Sequence, residues 1–176
     1  MPQGYGVPKN ASGMMPWAAT RKILEAARSY WLVTLDQDGK PHLVGQWGAW
    51  IDERWYFEGS PDTKWARNLG RDGRIAMSTE SGTTAVMVEG RAERVSRVER
   101  ATSELIVKQY GAKYGRVFKY RPKAEQWDNG GYVLVPTKVL AWDVRGFPRT
   151  TTRYLFSPDE PRSSTRSSAR AAAARA

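Results

Sequence analysis

Trp55-Tyr56-Phe57-Glu58-Gly59-Ser60-Pro61-Asp62-Thr63-Lys64-Trp65-Ala66-Arg67-Asn68-Leu69 reads as a strand that runs directly into a short helix. Trp55 to Phe57 is an aromatic run suited to a pleated surface. Ser60 is a favourable N-cap, and Pro61 stands where a first helical residue tolerates proline, so the spacing predicts a helix opening there. The first turn of a helix carries amides with no internal partner, and with the macrodipole they favour an anion. Lys64 and Arg67 lie three apart, share a helical face and can grip the same anion. The stretch is thus a candidate phosphate seat for a nucleotide-like cofactor. The competing reading is a solvated helix with two ordinary cations.

The flanking sequence supplies the sheet that such a strand needs. On the N-terminal side, Pro16 opens a helix in which Trp17, Thr20, Leu24 and Ala27 recur at helical spacing. Tyr30 to Asp36 is a β-branched and aromatic strand, Asp38-Gly39 a hairpin signal, and Pro41 to Ile51 the return strand. Asp52-Glu53 turns the chain into Arg54 to Glu58. Beyond the short helix, Gly73 is a breaker, Arg74 to Thr79 a strand, Ser81-Gly82 a loop, and Thr84 to Val95 a long strand. Ser96-Arg97-Val98-Glu99 has the pattern of a capping box, which predicts a helix carrying Val98, Ala101, Leu105 and Ile106 and ending near Gly111. Residues 111–129 read as irregular and basic, Tyr132 to Val144 as a strand, and Thr150 to Phe156 as the last. Six or seven strands joined by short turns, with about three helices, predict a mainly β antiparallel barrel rather than a parallel doubly wound sheet. Residues 1–15 read as a flexible arm, 16–157 as one barrel domain, and 158–176 as a disordered basic tail.

Composition narrows the chemistry. The 176 residues contain no cysteine and one histidine, His42, which excludes disulfides, thiol nucleophiles and multi-histidine metal sites. The net charge is +10, and four arginines (Arg162, Arg166, Arg170, Arg175) follow Pro161 with no acid among them. The remainder is still basic, which suits nucleic acid or a cofactor bearing phosphates or carboxylates. No signal peptide is visible and no apolar run approaches membrane-spanning length, so a cytoplasmic location without a membrane partner is the expectation.

Several segments together resemble the pyridoxamine-phosphate-oxidase-like split β-barrel family, the flavin/deazaflavin oxidoreductases. They are Tyr30-Trp31-Leu32-Val33-Thr34, Asp38-Gly39-Lys40-Pro41-His42, Trp47-Gly48, the Phe57 to Leu69 stretch, Val88-Glu89-Gly90-Arg91-Ala92-Glu93 and Thr152-Arg153-Tyr154-Leu155-Phe156. The resemblance covers roughly residues 16–156. It implies a homodimer with two cofactor sites at the interface, binding FMN or the deazaflavin coenzyme F420, with haem in some members. By the same resemblance, Val44, Gly45, Gln46 and Trp47 lie along the cofactor ring. Glu58, Gly59, Thr63 and Lys64 hold its phosphate beside Arg67 and Asn68. Trp142 and Arg153 complete the site from the other subunit. Two departures stand out. Trp65 occupies a position that is basic in many relatives. The closing Phe147-Pro148-Arg149-Thr150-Thr151-Thr152-Arg153 lacks the Arg-x-His pair of true pyridoxamine phosphate oxidases, which argues against vitamin B6 oxidation.

The function expected is hydride transfer between a flavin or deazaflavin and a small conjugated molecule, with the cofactor carrying the chemistry. The anionic tail of F420 suits the basic chain, and FMN is the alternative. Tyr154 or a water is a candidate proton donor. A non-enzymatic flavin or haem binder is the second reading, with His42 the one imidazole available as an axial ligand. Nucleic-acid binding is disfavoured, because the tail has no aromatics to stack and the strand aromatics alternate like core residues.

Overall fold

The computed structural model describes residues 6–8, 10–156 and 170–171. The described elements are α1 (Trp17–Ala26), β1 (Tyr30–Leu35), β2 (Pro41–Gln46), β3 (Ala49–Ile51), β4 (Arg54–Phe57), α2 (Lys64–Arg71), β5 (Arg74–Thr79), β6 (Thr84–Val95), α3 (Arg100–Tyr114), a 3-10 turn (Ala124–Asn129), β7 (Gly131–Asp143), β8 (Thr152–Leu155) and β9 (Arg170–Ala171). The strands form one antiparallel sheet in the order β2-β1-β5-β6-β7-β4-β3, with β8 paired to β7 and β9 to β8. This is the expected split β-barrel. Of the predicted basic tail, Arg170–Ala171 pair with β8, and the rest lies outside the described residues.

Directly opposed residues share a face of a sheet, so the register sorts the side chains. Val44, Leu32, Met77, Val88, Val139 and Tyr154 form one cross-strand row running from β2 to β8, and all belong to or pack on the main core. One residue along, Gly45, Trp31, Ser78, Met87, Leu140 and Arg153 form the matching row on the opposite face. That outer face carries exposed apolar groups, including Trp31, Leu43 and Leu155. A second core joins β3, β4 and β7 to α3 and the 3-10 turn through Ala49, Ile51, Tyr56 and Val133 against Ile106, Tyr110, Tyr114 and Trp127. α1 inserts Trp17 against Tyr154 and Phe156, and its indole donates to Glu53 at 2.9 Å.

Three expectations are corrected. Pro41 to Ile51 is not one strand: it breaks at Trp47-Gly48, where a Cβ on Gly48 would lie 2.2 Å from Trp55 Nε1, so the chain bends around that indole. α3 is capped at Glu99 rather than Ser96, and it continues past Gly111 to Tyr114 because Tyr110 and Tyr114 anchor it in the second core. α2 begins at Lys64 with Thr63 as its N-cap, not at Ser60–Pro61. Ser60 instead accepts from the Asp62 amide and its carbonyl from the Thr63 amide, a turn that Pro61 suits.

Candidate functional site

The two ends of the sheet, β2 and β3, are linked by Trp47-Gly48 and do not pair with each other. The Gln46 side chain crosses the opening, its Nε2 donating to the Glu58 carbonyl at 2.6 Å. A cavity of about 390 Å³ lies there, lined by Gly45, Gln46, Trp47, Glu58, Tyr110 and Tyr120. A second of about 430 Å³ shares Glu58 and Tyr120 and reaches Gly59, Pro61, Arg94 and Tyr132. Four residues expected along a cofactor ring or its phosphate, Gly45, Gln46, Trp47 and Glu58, therefore meet in one cleft.

Each wall has a physical cause. At Gly45 the strand backbone is open: an added Cβ would find its nearest neighbour, Trp31, at 3.9 Å. Trp47 is held by α3, stacked on Tyr114 with ring centres 4.4 Å apart and planes 9° from parallel. The Glu58 carboxylate accepts from the Tyr120 hydroxyl at 2.6 Å. Burial first, then that carboxylate, push the Tyr120 phenol far up, so it stays a donor. Tyr110 lines the same cavity, and its hydroxyl is buried without a hydrogen-bond partner among the described residues. Tyr110 and Tyr120 did not stand out in the sequence. The signal available was the aromatic spacing Tyr110, Tyr114, Phe118, which continues a helical face beyond Gly111.

The strand–helix element holds the anion-binding features in modified form. Thr63 Oγ1 accepts from the Ala66 amide at 3.4 Å and donates to the Ser60 carbonyl at 2.9 Å. The Lys64 and Trp65 amides find no acceptor among the described residues, as expected for a helix start. Lys64 is exposed, with its Nζ 3.9 Å from Asp36 Oδ2. The Lys40 amide, first among several donors and cations, lowers the Asp36 pKa. The Arg67 guanidinium donates back to the Asp62 carbonyl. Asn68 is buried; it donates to Thr34 Oγ1 at 3.0 Å and accepts from Arg71 at 2.6 Å, tying α2 to β1. Trp65 turns inward against Phe57 and Tyr132, which explains why no cation stands there. A Cβ on Gly59 would lie 2.6 Å from that indole.

Val44 points into the core, behind the strand surface that Gly45 opens. Trp142 and Arg153 are not brought to the cleft within one chain. Arg153 lies at the far end of the outer row from Gly45, with four strands between them, or roughly 24 Å at about 4.8 Å per spacing. Its Nε is buried without a hydrogen-bond partner among the described residues. Trp142 lies near Phe147 on the same face. Tyr154 is excluded as a proton donor: it is buried, and its hydroxyl is spent on Thr20 and the Met15 carbonyl. His42 is half-buried opposite Thr34 on β1. Among the described residues no cluster of side chains suits a metal, and no helix is long and apolar enough to cross a membrane.

An open antiparallel sheet with a cleft between its ends, flanked by helices, defines a split β-barrel. A family model described as pyridoxamine 5'-phosphate oxidase matches residues 17–143, and the chain belongs to that family. Similar solved structures include a conserved hypothetical protein from Mycobacterium tuberculosis, 28% identical over 80% of this chain and 92% of that one, TM-score 0.63. An F420 reductase is 22% identical over 79% of this chain and 98% of the other, TM-score 0.51. A heme binding protein from Mycobacterium smegmatis is 20% identical over 77% of this chain and 56% of the other, TM-score 0.58. A comparison with curated proteins finds no match.

Proposed function

We propose that this protein is a deazaflavin-dependent oxidoreductase, with F420 preferred over FMN, acting on a small conjugated acceptor such as an enone or quinone. The observation that carries the reading is the cleft itself, where Gly45, Gln46, Trp47 and Glu58 converge from two separate strands. The residues fit such a cofactor. The bare Gly45 backbone admits a flat ring at close range, Tyr110 offers an unspent hydroxyl, and the α2 start with exposed Lys64 offers amides and charge to a phosphate. The cofactor supplies the hydride chemistry. The chain's part is to orient the ring along β2, to hold the wall through Trp47 on Tyr114, and to hold the anionic tail. The basic balance of the chain favours the tail with more carboxylates.

The site is proposed to be completed in a homodimer. The exposed apolar outer face, with Trp31, Leu43 and Leu155, supplies a surface for a second copy. A two-fold pairing of that face puts one chain's Arg153 end over the other's Gly45 end, which would use the unpartnered Arg153 Nε. The similarity to a heme binding protein supports the second reading, a haem carrier through His42. Titrating the apo protein with F420, FMN and hemin at fixed moderate salt separates these. Tight binding of F420 is expected, while binding of hemin alone, with a Soret band that His42→Ala weakens, overturns the proposal.

A further inference from the structure

A larger cavity borders the cleft, with Arg94 on the lining of both. It is a groove of about 600 Å³ between the C-terminal end of α2 and the strands β6 and β7, with Leu69, Ala92 and Pro136 on its floor and Arg71, Arg91 and Arg94 on its rim. The fold creates it where β6 outruns β5. The β5 ladder begins with Arg74 opposite Arg91, and beyond it the Gly73 carbonyl accepts from the Ala92 amide at 2.7 Å. A Cβ on Gly73 would stand 2.8 Å from the Ala92 carbonyl, so the close approach needs glycine. On the other side the ladder slips between Glu89 and Gly90, and Pro136 brings no amide.

The charges in this groove are only partly spent. Arg74 is consumed by Asp72 at 2.6 Å, which holds that carboxyl at about 2. Arg91, directly opposite Arg74, feels Asp72 only through space, with no hydrogen bond or ion pair to it, and like charges placed as Arg91 and Arg74 are repel. Neither Arg91 nor Arg94 enters a salt bridge or side-chain hydrogen bond among the described residues. Arg71 keeps one contact, to Asn68 at 2.6 Å, which steadies its guanidinium. Glu93 is the one acid on the lining. Guanidinium groups over an apolar floor, in a volume suited to a small molecule, complement a ligand with an anionic head and an apolar body.

We propose that this groove is a second binding site, adjoining the cofactor cleft and sharing Arg94 alone with its lining, for a small organic anion: a carboxylate or phosphate monoester on a flat apolar body. Arg91 and Arg94 hold the head, and Leu69, Ala92 and Pro136 carry the body. The site does not depend on which cofactor the cleft takes.

The test is calorimetric titration of the full chain with a charge series on one ring: 2-naphthoate, 1-naphthyl phosphate and neutral 2-naphthol. The two anions are expected to bind and the neutral ring to bind at least tenfold more weakly; the tighter anion identifies the head group. Arg91→Gln with Arg94→Gln should weaken the anion tenfold or more, with unchanged melting temperature as the control for folding. Equal binding of 2-naphthol, or unchanged anion affinity in the double variant, overturns the proposal. So does displacement of the bound anion by saturating F420, because the groove would then belong to the cofactor's tail.

Discussion

The Gln46 side chain donates to the Glu58 carbonyl at 2.6 Å, across the opening between the ends of β2 and β4. No backbone ladder spans this gap, so this side-chain bond bridges it. Gln46→Ala should cost about 0.5–1.5 kcal/mol, read as a lower urea midpoint with unchanged m-value. An unchanged midpoint would show that the opening is held elsewhere.

Gly59 and Gly70 make opposite predictions within one short stretch. At Gly59 a Cβ would meet the buried Trp65 ring at 2.6 Å, and overpacking of this kind costs about 1–3 kcal/mol. At exposed Gly70, inside α2, nothing lies within 4 Å, so Gly70→Ala should stabilise by about 0.4–1 kcal/mol. Thermal melts of the two variants check both signs.

Lys113 is buried on α3, donating to the Tyr30 hydroxyl at 2.9 Å and the Gly48 carbonyl at 3.0 Å, and burial pulls its pKa down to about 7. The unfolded chain holds that proton up to the ordinary lysine range. Between about pH 7 and 10 the unfolded state therefore binds more protons, and stability rises with pH. Several buried tyrosines shift upward and act in the opposite sense above pH 10, so the useful window closes at pH 9.5. Relative to Lys113→Met, the wild type should gain stability from pH 6.5 to 9.5 in urea titrations. A constant difference would mean that Lys113 titrates normally.

Much of the fold was legible locally. β5 and β6 have the bounds that their alternation and flanking glycines imply, and Asp52-Glu53 is a tight turn with both residues at positive φ. What escaped the sequence depends on distant partners. Ser60 is by type the better cap and Thr63 the weaker, yet the Ser60 turn leaves the cap to Thr63. Asn68 reads as a polar residue beside cations, yet its role in the chain is the tie to Thr34. The break at Gly48 is set by Trp55, and the cleft wall by Tyr110 and Tyr120 from a helix and loop read as ending and irregular. Arg153 and Trp142 lie on the outer face of the sheet, away from the cleft of their own chain, and no local pattern fixes that placement.

Lys64 separates binding from folding. Its contact to Asp36, at 3.9 Å and more than half exposed on the lysine side, contributes little to stability. Lys64→Ala should leave the melting temperature within experimental error. On the proposed phosphate role it should weaken F420 binding by roughly 1.5–3 kcal/mol, the worth of a charge-assisted hydrogen bond. Equal affinities would remove Lys64 from the seat.

Gly45 offers the most direct test of the proposed cleft, because the chain itself has room for a side chain there. The measurement is the dissociation constant for F420 of the wild type and of Gly45→Ala, with melting curves of both. The account predicts an unchanged melting temperature and at least a tenfold loss of affinity, since the added methyl would occupy the surface on which the ring lies. Tight and equal binding by both proteins would contradict it, and would move the cofactor away from β2.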